Sequence, residues 1–340
     1  MALKAASLSA VLARPSRRAA VRARRPISTI ALETSRPDAT ESASFALNRS
    51  ASLARSLVAV ASMPASESRS LSGSGVLARL PGARERSSLP PVRIGTSGWH
   101  YLSWRGPFYP ETTKPKDFLS FYMTRFGTTE LNNPFYRLPT EAAVECWRDN
   151  TPDDFVFAWK ASRFITHMIK LKNAENALGI MFGRAEILGP KLGPILFQLP
   201  PSLKADRERL ANFLALLPPG HRYTFEFRHP SWYEPPILDL LREHDVALCL
   251  SDHANAPSPW EVTASFVYIR GHGPSGWYWG SYGDETLTKW GADIARWQEE
   301  GRAVYCYFDN DIKSAAPEDA RRLLDLLGAD AHPYEAAAAG

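Results

Sequence analysis

Polar and ionisable side chains recur at regular intervals after residue 90 of this 340-residue chain, each at or just after the end of a short apolar segment. In chain order the series is Ser97, Trp99, Glu130, Asn132, Lys160, Gln198, Glu226, Arg228, His229, Asp252, His253, Arg270, His272, Asp309 and Asn310. Such a set contains general acids, general bases and cations that could stabilise negative charge. If the fold brings these segment ends together, the sequence predicts a chemically competent site.

A pair of carboxylates leads to the first functional hypothesis. Glu130 and Glu226 could supply the two carboxylates that glycoside chemistry requires at separations of about 5–10 Å. Lys160, Arg228 and Arg270 would stabilise negative charge and suit a phosphate or carboxylate group. We therefore predict a hydrolase or isomerase that acts on a small polar or anionic substrate, with Glu130, Lys160, Glu226 and Asp252 as its catalytic residues.

A metal-dependent phosphodiesterase is the second hypothesis, because His, Asp and Glu together suit zinc or manganese. The candidate ligands are Glu226, His229, Asp252, His253 and His272. Their spacing contains no HxH or HExxH pattern, and His229 could instead brace the turn before Pro230. The main expectation is therefore that the protein binds no metal and needs no nucleotide cofactor.

Aromatic side chains follow the same apolar segments, which suits a sugar, a nucleobase or another flat polar ligand. The predicted substrate-binding residues are Ser97, Trp99, Asn132, Tyr136, His167, Gln198, Arg228, Trp232, Arg270, His272, Asp309 and Asn310. A third hypothesis uses the same residues without chemistry. It is a non-catalytic protein that holds a phosphorylated or nucleotide-like ligand.

Eight apolar segments of strand length position these residues. They cover 92–95, 128–132, 155–160, 193–199, 223–227, 246–250, 265–270 and 303–308. Their nearly continuous apolar character predicts parallel strands that are covered on both faces. Helical patterns lie between most of them, at 116–126, 141–150, 205–217, 235–244, 284–300 and 317–328, whereas 251–264 is too rich in Pro for a full helix.

Eight strands with alternating crossovers in about 240 residues predict an α/β fold, a single (β/α)8 barrel of the TIM type. A doubly wound sheet is the alternative, but it usually has a Gly-rich phosphate loop after the first strand. The first loop here, GTSGWHYLSWRGPFY, lacks the GxGxxG pattern. A barrel would gather the polar series at one end, where the carboxyl ends of its strands meet.

The first 90 residues differ from the rest in composition, with no Trp or Tyr and with 14 basic against 5 acidic side chains. This stretch has too few aromatic residues for a core, and its Arg- and Ser-rich, acid-poor start resembles an organellar transit peptide. A merely disordered tail, or a start assigned too far upstream, would explain it equally well. We predict a disordered leader over 1–90, a barrel over 91–330 and a disordered tail over 331–340. A transit peptide would imply a plastid or mitochondrion, and its absence the cytoplasm.

Charge and cysteine content limit the classes of partner. Residues 91–340 have 26 basic and 31 acidic side chains, a balance that argues against extended nucleic acid. No apolar run approaches the roughly 18 residues of a membrane span, so a soluble protein is expected. The three Cys are far apart and show no CxxC spacing, so neither a disulfide nor a zinc–thiolate site is expected. The predicted partner is a small polar or anionic molecule, and the sequence does not indicate the oligomeric state.

Several long segments resemble one known family. They are IGTSGWHYLSWRGPFYP, TTELNNPFYRLP, WRDNTPDDFVFAWKASRFITH, LGPKLGPILFQLPPSL, FEFRHPSW and YIRGHGP. Over residues 92–328 the chain resembles the domain-of-unknown-function-72 family, also called YecE-like. The resemblance implies a TIM-type barrel without an established activity. Such a barrel is similar in shape to xylose isomerase and to endonuclease-IV-like barrels, the model for the phosphodiesterase hypothesis.

The resemblance also covers most of the predicted site residues. The positions that match the family pattern are Ser97, Gly98, Trp99, Glu130, Asn132, Phe135, Tyr136, Lys160, His167, Gln198, Glu226, Arg228, Trp232, Asp252, Arg270, His272 and Gly273. The last strand departs from it, since YCYFDND stands where the family commonly has Tyr-x-x-Phe-Asn-Asn. Asp309 thus places a carboxyl group where an amide is usual, which could alter the choice of ligand.

Overall fold

The computed structural model describes residues 89–328, and eight parallel strands form a closed barrel in which each strand pairs with the next and β8 pairs with β1. The strands are β1 Val92–Ser97, β2 Thr128–Leu131, β3 Val156–Lys160, β4 Leu192–Gln198, β5 Tyr223–Glu226, β6 Ala247–Ser251, β7 Phe266–Gly271 and β8 Ala303–Phe308. All eight predicted strands are confirmed, with ends that differ by at most two residues. The α/β barrel is therefore the fold.

Helices surround the strands. They are α1 Phe118–Tyr122, α2 Asn133–Tyr136, α3 Glu141–Asp149, α4 Glu175–Ala185, α5 Arg207–Leu214, α6 Pro235–Glu243, α7 Asp284–Glu299 and α8 Ala315–Leu327. Six of them match predicted segments, whereas α2, α4 and a π-helical turn at Phe164–Met168 are additional. The Pro-rich 251–264 connection contains no helix, as its composition indicated.

Successive side chains of each strand point alternately out of and into the barrel. They form one apolar layer outside the barrel, one apolar layer inside it, and a polar layer at one end of the interior. Outward side chains such as Trp159 and Ile269 pack beneath the helices, and inward side chains such as Tyr268 and Tyr307 fill the barrel. The rings of Tyr268 and Tyr307 lie 5.3 Å apart, and Tyr307 hydrogen-bonds Thr128 at 2.7 Å between hydroxyl oxygens. These side chains close the interior, so the inward polar side chains collect at the carboxyl ends of the strands. We call this end of the barrel the mouth.

The predicted leader and C-terminal tail lie outside the described residues, apart from the last two positions of the leader segment. Over residues 89–328 no helix combines the length and the apolar character needed to cross a membrane.

Candidate active site

Arg270 lies at the centre of the polar layer. It occupies the last inward-facing position of β7 and is fully buried. Its guanidinium donates hydrogen bonds to Glu130, Glu226 and Asp309, with N···O distances of 2.7 to 3.0 Å. Burial acts to lower the pKa of Arg270, but the three carboxylates outweigh it and raise that pKa. We call these three carboxylates, with Arg228 and Arg270, the ion cluster.

Both oxygens of Glu130 are occupied. Oε1 accepts from Ser97 Oγ and from Arg270 Nη2, and Oε2 accepts from Tyr268 OH at 2.7 Å and from Arg270 Nε at 3.0 Å. Burial opposes ionisation, yet the charges of Arg270 and Lys160 and these hydrogen bonds lower the pKa of Glu130. The side chain is an ionised carboxylate that is 0% exposed.

Glu226 has a similar environment on the other side of Arg270. Its Oε2 accepts from Arg270 Nη1 at 2.8 Å and its Oε1 from Ser251 Oγ at 3.2 Å, and Oε1 also forms an ion pair with Arg228 Nη2 at 2.6 Å. Despite burial, the two guanidinium groups hold the pKa of Glu226 well below its usual range. Arg228 also donates to the hydroxyl of Tyr278 at 3.1 Å, whereas its buried Nε has no hydrogen-bond partner among the residues described.

Asp252 orients His272 from outside the ion cluster. Arg228 and Arg270 each approach Nε2 of His272 at 3.1 Å, and because guanidinium groups only donate, Nε2 accepts. Nδ1 then donates to Asp252 at 3.3 Å, and the backbone N–H of His272 donates to the same oxygen at 2.7 Å. Tyr282 donates its hydroxyl to the other oxygen of Asp252. The predicted catalytic Asp252 is thus placed to fix the His272 ring.

Lys160 differs from the other charged residues of the mouth. Over the part of the chain that the structure describes, its ammonium forms no hydrogen bond and no ion pair, and it lies 4.7 Å from the centroid of the Phe135 ring. Burial and then the charge of Arg270 lower the pKa of Lys160 to about 8, against the opposing effect of the cluster carboxylates. The ion cluster has three carboxylates and two guanidinium groups, so protonated Lys160 supplies the third positive charge.

His167 is half-buried next to Lys160, in the π-helical turn after β3. Its ring meets Phe135 edge-on at 5.1 Å, and Nδ1 lies 2.8 Å from Thr166 Oγ1. Burial, followed by the charges of Lys160 and Arg228, lowers the pKa of His167, which favours the neutral imidazole at neutral pH. His167 and Lys160 therefore place two nitrogen bases on one side of the mouth.

The other predicted binding residues at the mouth are neutral. Asn132 donates to the backbone oxygen of Ser97 at 3.2 Å, and its own Oδ1 has no partner in the described part of the chain. Gln198 is the last residue of β4. It is half-buried and pairs with Glu226 in the strand register. Tyr136 stands on the rim and is 68% exposed.

Three further predicted binding residues are buried and take no part in the ion cluster. Trp232 is fully buried, stacks on Phe227 at 4.8 Å and donates to the backbone of Leu203. Trp99 is buried against the edge of Trp147. Nδ2 of Asn310 donates to the backbone oxygen of Gly280 and to Asp319, whereas its Oδ1 has no partner in the described part of the chain. Motif position does not reveal the direction of a side chain, so the sequence did not distinguish these buried residues from the exposed ones at the mouth.

The predicted metal ligands contact other protein groups. Within residues 89–328 no three His, Cys, Asp or Glu side chains are grouped to hold one. Glu226 and His272 are engaged by guanidinium groups, and His229 caps the turn at Pro230–Tyr233 by accepting from the Ser231 backbone N–H at 3.2 Å. Burial, aided by Arg228, lowers the pKa of His253 to about 3.

Asp311 is a further ionisable residue near the mouth, and the sequence pattern did not single it out. It follows Asp309 in the β8–α8 loop and is half-buried. Burial and the neighbouring Asp309 raise the pKa of Asp311 to about 6. Lys313 and Ser314, just beyond Ile312, have left-handed backbone conformations. Such conformations cost conformational free energy in residues other than glycine. The sequence signal that could have identified Asp311 is the run Asp-Asn-Asp directly after β8.

A family model described as "Protein of unknown function DUF72" matches residues 93–339. The chain belongs to the DUF72 family. Among solved DUF72 structures, one from Thermotoga maritima MSB8 has a TM-score of 0.65 and 27% identity, and it covers 70% of this chain and 100% of its own. Another, from Enterococcus faecalis V583, has a TM-score of 0.61 and 18% identity, covering 70% and 96%, and shows the shared fold.

Two DUF72 relatives carry the names of bacterial UPF0759 proteins. YunF of Bacillus subtilis (strain 168) is 23% identical over 273 residues, which is 69% of this chain and 94% of YunF. YecE of Escherichia coli (strain K12) is 32% identical over 116 residues, which is 34% of this chain and 43% of YecE. None of these names states an activity, so membership in DUF72 establishes the fold and leaves the reaction to the geometry of the mouth.

Proposed function

We propose that this barrel is an enzyme that binds a small anionic substrate at the mouth and uses Lys160 as its proton-transfer group. The observation that carries the proposal is the unpaired, buried ammonium of Lys160, whose pKa is lowered to about 8. A lysine in this state is neutral often enough near neutral pH to accept a proton and charged often enough to return one. Perturbed groups of this kind concentrate at functional sites.

The substrate class follows from the hydrogen-bond donors that remain free. Among residues 89–328, the ammonium of Lys160 has no hydrogen-bond or ion-pair partner, and the buried Nε–H of Arg228 has no hydrogen-bond partner. Buried donors are normally satisfied, so an unsatisfied pair in one mouth favours a ligand that supplies acceptors. A phosphate or carboxylate group supplies them with complementary charge.

The carboxylates receive a different role from the one that the sequence suggested. Glu130 and Glu226 have all their oxygens in hydrogen bonds, and their lowered pKa values keep them ionised. In the proposed enzyme they hold Arg270 and Arg228 in place. Arg270 spends its donors on the cluster, so Arg228, whose Nε–H has no partner among the described residues, would stabilise negative charge that develops on the substrate.

Proton transfer is assigned to the other side of the mouth. Neutral Lys160 would accept a proton from the bound substrate, and its ammonium would return a proton to the product side. His167 is a neutral base beside it and would pass protons between Lys160 and solvent. Asp252 acts through His272, whose ring it orients, and is a positioning residue in this proposal.

The proposal is tested by labelling the lysines of the full-length protein with trinitrobenzenesulfonate at several pH values, with peptide mapping of the products. Lys160 is expected to react with a midpoint near pH 8, and millimolar inorganic phosphate or methyl phosphate is expected to protect it. Exposed Lys289 is the internal control and should show no protection. Labelling of Lys160 that has its midpoint above pH 10, or that phosphate does not slow, would contradict the proposal.

A non-catalytic ligand-binding barrel is the second candidate, and the occupied carboxylates favour it. In that case Lys160→Arg should still bind inorganic phosphate in a calorimetric titration, since charge alone would suffice, and no variant of the mouth should affect a turnover. An enzyme of the proposed kind should instead lose turnover in Lys160→Arg while it keeps anion binding, because the guanidinium does not release its proton.

A further inference from the structure

Exposed apolar side chains concentrate around the mouth. Ten large apolar side chains are exposed within residues 89–328, and seven of them lie on the loops that follow β1, β2, β3, β7 and β8. An exposed apolar group is ordinary by itself, but a cluster at one end of a barrel marks a binding surface. Here the apolar loops surround a charged floor, which is formed by Lys160 and the ion cluster. A ligand of the mouth would therefore meet both charged and apolar side chains.

One set of aromatic rings leads from Lys160 to the rim. Its ammonium lies over Phe135, at 4.7 Å from the ring centroid, and Phe135 meets Tyr136 edge-on at 5.0 Å. Phe135 is buried and Tyr136 is 68% exposed. We call this pair the first wall.

A second set leads from Arg228 to the rim. Arg228 donates to the hydroxyl of Tyr278 at 3.1 Å, and the adjacent Trp277 packs 5.3 Å from the ring of His253. Trp277 is 50% exposed and Tyr278 half-buried. We call Trp277 and Tyr278 the second wall.

The two walls lie on facing sides of the mouth, because the second wall contacts the loop after β6, the strand directly across the barrel axis from β2. The first wall follows β2, and the second follows β7 and contacts the loop after β6. In a closed barrel of eight strands in chain order, β2 and β3 lie across the axis from β6 and β7. Each wall begins at a cation, Lys160 or Arg228, and ends in an exposed aromatic ring, so one ligand could use both an anion-binding donor and an aromatic face.

We infer that the ligand of this mouth is an organic anion with a planar ring, such as an aryl phosphate, held with its anionic group on Lys160 and Arg228 and its ring between the two walls. This inference rests on the proposed anion-binding role of the floor. Ring faces in offset or edge-on contact attract one another beyond simple apolar burial, so a planar body fits the walls better than a puckered one. An aliphatic anion would leave the walls unused.

The test measures binding of three phosphates to the full-length protein by isothermal titration calorimetry. Phenyl phosphate is the planar probe, cyclohexyl phosphate is its non-planar counterpart of similar size, and inorganic phosphate has no ring. We expect phenyl phosphate to bind about tenfold tighter than cyclohexyl phosphate, which should in turn bind tighter than inorganic phosphate. Trp277→Ala and Tyr136→Ala should each reduce the preference for phenyl at least threefold without changing the affinity for inorganic phosphate.

The control is Ile180→Ala, which removes an exposed apolar side chain from α4, away from the mouth loops. It should leave all three affinities unchanged. Equal affinities for phenyl and cyclohexyl phosphate, or a preference that survives both wall variants, would overturn the inference while leaving the anion site intact. If none of the phosphates binds, the anion site itself fails, and this inference fails with it.

Discussion

Arg270 and Glu130 face each other through two parallel hydrogen bonds, from Nε to Oε2 at 3.0 Å and from Nη2 to Oε1 at 2.9 Å. Neither side chain is exposed. The same guanidinium also contacts Glu226 and Asp309, so one buried cation serves three carboxylates. Removing one partner of such a buried set leaves charges that water cannot reach, and this makes the cluster a determinant of stability as well as of the site.

Arg270→Met should therefore lower the free energy of unfolding by about 3–5 kcal/mol, the cost of stranding buried charge. Urea unfolding at pH 7 measures the change. Arg321→Ala is the control, because Arg321 pairs with Glu318 and Asp325 at half-exposed positions and should cost no more than about 1 kcal/mol. Equal costs for the two variants would show that the ion cluster contributes little to stability.

Lys160→Met should stabilise the protein at pH 7 while it weakens anion binding. The folded-state pKa of Lys160 is about 8 against an ordinary 10.5, so the charged form is penalised by folding. That penalty is fully present below pH 8 and disappears as pH rises to about 10.5. We expect a gain of about 2–3 kcal/mol at pH 7 that shrinks towards pH 10.

Denaturant unfolding at the two pH values measures this gain, and exposed Lys289→Met is the matched control, which should stay within about 0.5 kcal/mol of the parent. A Lys160→Met variant that is less stable than the parent at pH 7 would mean that the ammonium is stabilised by partners and is not free.

Asp311→Asn should stabilise the protein above pH 6. The carboxyl group of Asp311 has a pKa of about 6 in the folded chain and an ordinary value of 3.8, so folding disfavours its ionised form. The unfolded chain loses its proton first as pH rises from about 4 to 6, and stability falls over that interval. The amide removes this loss, with a gain of about 1–3 kcal/mol at pH 7.5 that fades towards pH 4.

Thermal unfolding as a function of pH follows the difference between Asp311→Asn and the parent. Asp153→Asn changes an exposed carboxyl group in the same way and should give no pH-dependent difference. If the Asp311 variant gains as much at pH 4 as at pH 7.5, ionisation of Asp311 is not the cause.

Gly273→Ala should destabilise the loop that carries the second wall. Gly273 has a φ of +87°, and a Cβ atom there would collide with the backbone oxygen of Trp279. We expect a loss of about 1–3 kcal/mol and weaker binding of phenyl phosphate. Gly183→Ala on α4 meets no atom within 4 Å and should instead stabilise the protein by about 0.5–1 kcal/mol. The same sign for both substitutions, measured by urea unfolding, would contradict the argument from backbone geometry.

The pattern of apolar segments in the sequence predicted most of the fold. Runs such as 303–308 are apolar on both faces, and that local property suffices to predict parallel strands whose carboxyl ends meet. The same pattern places Lys160, Glu226 and Arg270 at one mouth, because each of them stands at or next to the end of its strand. Helices α2 and α4 were missed because α2 is a single turn after β2 and α4 contains two glycines, which weaken a helical pattern.

The sequence by itself thus determined the eight-stranded barrel, the position of the mouth and the types of residue gathered there, because strand and helix periodicities are local properties of the chain. Only the tertiary structure decided which of those residues are free. Glu130 and Arg270 are 140 positions apart, and barrel closure pairs them, whereas within the described barrel Lys160 contacts the Phe135 ring and forms no ion pair. Trp232 is likewise buried by packing on Phe227 and by its hydrogen bond to Leu203, which lies 29 positions earlier in the chain. Hydrogen-bond partners and burial are relations between distant segments, and so they appear only once the barrel is closed.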